Sequence, residues 1–145
     1  LDGVREAVEA VAARYPVVLI TKGDLFHQEA KVRESGLADR FRRIEIVSEK
    51  DPATYARLLE EFGVPARRFL MVGNSLRSDI APVLELGGWG VHVPYHRTWM
   101  HEAEVPPIPG RARMREVAAI DRLAQAVMEL DALASGEEQT GGVVA

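Results

Sequence analysis

Residues 68–80 read RFLMVGNSLRSDI, and the rest of the chain can be read outward from them. Phe69-Leu70-Met71-Val72 is a short apolar run without polar alternation, the pattern of a strand covered on both faces of a parallel sheet. Gly73-Asn74-Ser75 interrupts it. Ile80, Val83 and Leu84 then recur at helical spacing, and Gly87-Gly88 stops the helix. The same strand–turn–helix unit appears upstream. Val17-Val18-Leu19-Ile20 is a strand that ends in Thr21-Lys22-Gly23, with a helical stretch after it that closes near Gly36. Ile44-Glu45-Ile46-Val47 is the next strand; Asp51 caps the following helix, Pro52 opens it, and Tyr55, Leu58, Leu59 and Phe62 form its apolar stripe before Gly63 closes it.

Downstream, Val91-His92-Val93 reads as a fourth strand ended by Pro94. Residues 95–114, rich in proline, read as an excursion loop, with a weak edge strand over Glu116 to Ile120. Leu123, Val127 and Leu130 belong to a last helix, and residues 135–145 have the composition of a disordered, frayed tail. An amphipathic helix with Val4, Ala7, Val8 and Val11 precedes the first strand. Strands alternating with helices predict the α/β class: a mostly parallel sheet with helices on both faces, forming one domain over residues 1–134. In such sheets ligands bind outside the carboxyl ends of the strands.

Composition narrows the function. The 145 residues are 47% hydrophobic and 28% charged, the balance of a folded globular chain. A net charge of −4 argues against a nucleic-acid binder held by phosphate contacts, and no apolar run is long enough for a membrane helix. Without any cysteine, thiolate catalysis and cysteine-ligated zinc are excluded. A cytoplasmic location is expected. His27, His96 and His101 lack metal-ligand spacing and His92 sits within a strand; Gly87 to Gly90 is a helix stop and no nucleotide fingerprint; Arg111, Arg113 and Arg115 read as a solvated loop.

The strand ends carry the chemistry. Thr21 and Lys22 follow the first strand, Glu49 and Lys50 the second, and Asn74, Ser75 and Asp79 the third. Taken singly, Thr21 suits a turn cap, Lys50 a solvated lysine, Asp79 a helix N-cap and Asn74 a plain turn. Together, a hydroxyl, an ammonium and an amide–carboxylate pair are the groups that hold a phosphoryl group and a hard cation such as Mg²⁺.

In this order, VVLITKGD (17–24), IVSEKDPATYARLLEEFGV (46–64), RFLMVGNSLRSDI (68–80) and GGWGVHVP (87–94) resemble motifs II, III and IV of the haloacid dehalogenase-like hydrolases. The resemblance implies a Rossmann-like core and Mg²⁺-dependent phosphoryl transfer from a small phosphorylated substrate through an aspartyl-phosphate. It gives Thr21 and the Lys22 amide the transferring phosphoryl group. Lys50 takes the charge on nucleophile and phosphate, and Asn74 and Asp79 take the metal. Two departures stand out. Asn74 occupies a place where the family usually has aspartate, which removes one negative charge from the metal site. Motif I, with its paired aspartates on the central strand, is not found in these residues, where no Asp-x-Asp occurs.

The expectation is therefore the carboxyl-terminal part of a longer protein, with the nucleophile, the first strand and the cap outside these residues and with no activity from this part alone. The other readings are a non-catalytic member serving as an interaction module, a 2-haloacid dehalogenase-type hydrolase on the same fold, and an unrelated receiver- or flavodoxin-like domain.

Overall fold

Helix α1 (Val4–Ala12) forms where the apolar spacing places it, with Gly3 in the left-handed region just before it and Ala7 buried beneath it. The fold, seen in a computed structural model, is described for residues 3–23, 30, 31, 33–94 and 110–144. The helix expected between Asp24 and Gly36 falls largely outside the described residues, as do His27, His96, His101 and the loop over 95–109.

Strands β1 (Val18–Lys22) and β2 (Arg43–Val47) pair in parallel, Val18 against Arg43 through Lys22 against Val47. Strands β3 (Leu70–Gly73), β4 (Trp89–His92) and β5 (Met114–Glu116) make a second parallel sheet in that order. The edge strand thus lies at Met114–Glu116, earlier than the Glu116–Ile120 segment expected, because these are the residues that pair in register with Gly90–His92 of β4. Where the sequence predicts one sheet there are two, and among the described residues no ladder joins β1 to β3.

Helices cover both faces, as alternation along β3 requires. Leu70 and Val72 pack into a cluster with Trp89, Val91, Ala7 of α1 and Leu130 of the last helix, α4 (Leu123–Val144). Met71 points the other way, into a cluster with Ile20, Val47 and Tyr55 and Leu58 of α2 (Pro52–Phe62). That second cluster draws on both sheets, so the two ladders share one core despite lacking a shared hydrogen bond. Helix α4 continues to Val144, through the segment expected to fray.

Helix α2 begins and ends as its sequence dictates. Asp51 accepts the Thr54 amide at 2.8 Å, and Gly63 closes the helix at φ 71°. Hydrogen bonding from Thr54 holds the Asp51 carboxyl below its ordinary value. A depressed carboxyl contributes stability above its unfolded value and loses it as the pH falls through the folded one, so the cap weakens below about pH 4. Asp51→Ala should lower the thermal midpoint at pH 7 while Asp51→Asn stays near wild type. The gap between wild type and Asp51→Ala should close on acidification, as thermal melts across pH 2–7 would record. A gap that widened in acid would contradict the cap.

After β3 the chain does not enter an ordinary α-helix. Residues Leu76–Ile80 form a π-turn, and α3 (Ala81–Glu85) follows. The Ser75 carbonyl accepts from both Asp79 N at 2.9 Å and Ile80 N at 3.3 Å. An α-helical ladder would need a residue-82 amide for the Ser78 carbonyl, and residue 82 is proline. The wider turn carries Asp79 into the protein, at 3% exposure, and buries Ile80 completely. Arg113 closes the far end of this unit by donating to the Leu84 carbonyl at 2.7 Å and the Gly88 carbonyl at 3.0 Å. It is therefore a helix stop and not the solvated loop arginine the sequence implies.

Candidate active site

The carboxyl ends of β1, β2 and β3 each deliver the residues the sequence singles out. Lys50 and Asp79, 29 positions apart, are in contact: Lys50 Nζ donates to Asp79 Oδ1 at 2.7 Å. The Asp79 carboxylate is 4% exposed and the Lys50 side chain 18%, so this pair is shielded from water in a way surface ion pairs are not. The second carboxylate oxygen, Oδ2, accepts the Ser75 amide at 3.2 Å, and the Ser75 hydroxyl accepts the Ser78 amide at 3.1 Å. Asp79 is thus held at once from its own turn and from Lys50, two residues before α2.

Gly73 makes this arrangement possible. A Cβ built on Gly73 would fall on the Oδ2, Cβ and Cγ atoms of Asp79. Only a residue without a side chain lets the carboxylate lie against the end of β3. The sequence marks Gly73 as a strand end; its closeness to Asp79 is a tertiary fact.

The other expected residues are less tightly gathered. Asn74 is exposed, and its side chain makes no hydrogen bond among the described residues. Thr21 stands half-buried near the end of β1, paired in register with Ile46. Lys22 is exposed and lies 3.5 Å from Glu49, itself exposed, across the ends of β1 and β2. Contact is thus established for Lys50 and Asp79; Thr21 and Lys22 stand at the end of β1, and Asn74 just past the end of β3.

Two further buried polar groups border the turn. Tyr55, 1% exposed, donates its hydroxyl to the Ser78 carbonyl at 2.9 Å. Burial, then the nearby Asp79 and Asp51 carboxylates, push the Tyr55 hydroxyl well above its ordinary value, so it remains a donor. His92, 4% exposed, places Nε2 3.1 Å from the Asn74 carbonyl and Nδ1 2.7 Å from Glu116 Oε1. Sequence reading leaves Tyr55 in an apolar stripe and His92 in a strand. The signal for His92 is a titratable residue inside an otherwise apolar strand, the next strand after the Asn74–Asp79 segment.

Oxygen donors alone are on offer for a metal here. The Asn74 amide and the Asp79 carboxylate suit Mg²⁺, which keeps several waters and takes only one or two protein carboxylates. Among the described residues no group of three or more His, Asp or Glu side chains converges as a metal site. The donor set fits a hard, partly hydrated cation and does not fit a closed structural site.

A family model for haloacid dehalogenase-like hydrolases matches residues 1–87, which contain the Thr21, Lys50 and Asp79 segments together. The chain belongs to the haloacid dehalogenase-like hydrolases. Among solved structures, a haloacid dehalogenase-like family hydrolase from Xanthomonas campestris is 57% identical with a TM-score of 0.81, over 94% of this chain and 53% of that one. Two more distant structures share the fold. The 2-haloacid dehalogenase from Pseudomonas syringae pv. Tomato DC3000 has a TM-score of 0.66 at 22% identity, over 89% of this chain and 53% of that one. The HAD phosphatase from Thermococcus onnurineus has a TM-score of 0.70 at 18% identity, over 88% and 57%. The chain thus spans about half the length of these dehalogenase-like structures. No curated protein matches it. Among the described residues, no helix of this family member is long and apolar enough to cross a membrane.

Proposed function

We propose that the protein containing this chain is a magnesium-dependent phosphohydrolase acting on a small phosphorylated metabolite, with its nucleophilic aspartate outside these 145 residues. The observation that carries this reading is the shielded Lys50–Asp79 contact at the strand ends. It brings a positive charge against a carboxylate at the strand ends, and phosphoryl transfer depends on such electrostatic positioning.

In this reading the Thr21 hydroxyl and the Lys22 backbone amide donate hydrogen bonds to the non-bridging phosphoryl oxygens. The Lys50 ammonium offsets the repulsion between the attacking carboxylate and the anionic substrate. That carboxylate bonds to phosphorus as the ester P–O bond breaks, and water then hydrolyses the acyl phosphate. Asn74 and Asp79 would hold Mg²⁺, which supplies Lewis-acid stabilisation of the phosphoryl charge when bound. A cytoplasmic setting and a soluble small-molecule substrate, with neither nucleic acid nor membrane as partner, belong to the same proposal.

The 2-haloacid dehalogenase reading draws on the Pseudomonas syringae likeness. That chemistry needs no cation, and the Asn74–Asp79 oxygen pair weighs towards phosphate. The non-catalytic reading draws on Asn74 itself, since its neutral amide binds a cation less strongly than aspartate. To separate the three, the full-length protein is assayed for release of p-nitrophenol and of inorganic phosphate with and without Mg²⁺, and for halide release from a 2-haloacid. Metal-dependent phosphate release is the expected result. Halide release without metal, or no turnover of either substrate by folded protein, would overturn the proposal.

A further inference from the structure

Tyr55 and His92 are buried polar side chains that the chemistry above leaves unused. Each is bonded to a main-chain carbonyl of the same turn, Tyr55 to Ser78 and His92 to Asn74. Those carbonyls bracket the segment that carries Asn74 at one end and Asp79 at the other. The two side chains come from different elements, Tyr55 from α2 and His92 from the end of β4.

Both carbonyls sit where regular structure gives out. At Asn74 the chain has just left β3: Val93 N bonds the Gly73 carbonyl at 2.9 Å, and the next carbonyl is met by the His92 ring. At Ser78 the α-helical donor would be the amide of residue 82, which proline lacks, and the Tyr55 hydroxyl supplies a bond instead. Glu116, in register with His92 on β5, fixes the other ring nitrogen at 2.7 Å. Both bonds are partly shielded from water, and a main-chain carbonyl held by a fixed side chain constrains the path of the turn. Tyr55 also stands five residues after Lys50. The segment from Lys50 into α2 therefore grips the same turn twice, Lys50 at the Asp79 carboxylate and Tyr55 at the backbone before it.

We propose that Tyr55 and His92, the latter oriented by Glu116, are positioning residues that hold the Asn74–Asp79 turn so that its two oxygen donors face a single cation. The claim about the cation rests on the reading of Asn74 and Asp79 as magnesium ligands; the claim about the turn does not.

The test uses the full-length protein with Tyr55→Phe, His92→Leu and His92→Gln. Glutamine keeps an amide donor where Nε2 stands and leucine keeps none. Three readouts are taken: amide hydrogen exchange at Asp79 and Ile80, the Mg²⁺ concentration giving half-maximal p-nitrophenyl phosphate hydrolysis, and the thermal midpoint. Tyr55→Phe and His92→Leu should each raise the half-activating Mg²⁺ concentration by about tenfold. They should speed exchange at Asp79 and Ile80 by about fivefold, with KM for the ester within about twofold of wild type. His92→Gln should recover most of the loss on both measures. Unchanged exchange in Tyr55→Phe and His92→Leu overturns the positioning role, as does His92→Gln being as impaired as His92→Leu. If wild-type protein shows no magnesium-dependent turnover, the phosphohydrolase reading fails, and the exchange rates still decide the role of the two residues.

Discussion

Lys50→Met in the full-length protein should lower magnesium-dependent phosphate release by at least about a hundredfold and destabilise the fold at the same time. The two effects have one origin. Lys50 lies 2.7 Å from a carboxylate that is 4% exposed, so removing the ammonium leaves Asp79 with the Ser75 amide as its remaining bond among the described residues. Breaking a buried pair on one side costs about 3–5 kcal/mol, whereas neutralising both sides costs far less. Lys50→Met/Asp79→Asn should therefore regain most of the lost stability, because an asparagine oxygen can still accept the Ser75 amide. It should regain none of the activity, having neither the ammonium nor the carboxylate. Urea unfolding of the two singles and the double gives the coupling directly. Additive stability losses would mean that the contact is no stronger than a surface pair; wild-type turnover in Lys50→Met would remove Lys50 from the chemistry.

The second large effect is expected at Gly73. Alanine there places a methyl group inside the Asp79 carboxyl, and the atoms it meets belong to a side chain already fixed by Lys50 and Ser75. Either the end of β3 or the Asp79 turn must move. Overpacking of this kind costs about 1–3 kcal/mol, and because the displaced group is Asp79, phosphate release should fall to background. Gly63→Ala is the contrasting variant. Gly63 has φ 71° with nothing within 4 Å of a built Cβ, so alanine there meets conformational strain and no clash. It should cost about 1 kcal/mol and leave activity intact. Equal activity in the two alanine variants, with both folded, would mean that the closeness of Gly73 to Asp79 is immaterial.

Much of this molecule is legible one segment at a time. The spacing of Val4, Ala7, Val8 and Val11 yields α1, Asp51-Pro52 and Gly63 bound α2, and the runs before Thr21 and Gly73 become β1 and β3. These signals are local, since period, caps and turn residues act over a few positions. They also locate the strand ends, which is why Thr21, Lys50, Asn74 and Asp79 could be named from sequence. Arg113 and the start of β5 were not legible. An arginine beside a proline-rich loop looks solvated until α3 and Gly88 present their carbonyls to it, 29 and 25 positions away.

What the 145 residues determine by themselves is the α/β alternation and the order of polar groups at the strand ends. Tertiary structure alone decided that the sheet is two ladders over one shared core. It also decided that Lys50 meets Asp79, that Gly73 must stay bare, and that Tyr55 and His92 seize the turn's carbonyls. The physical reason is the range of the interactions. Periodicity and capping act within one turn or one pleat. The Lys50–Asp79, Tyr55–Ser78 and His92–Asn74 contacts join residues 18 to 29 positions apart, and only the packing of helices across two sheets brings those residues together.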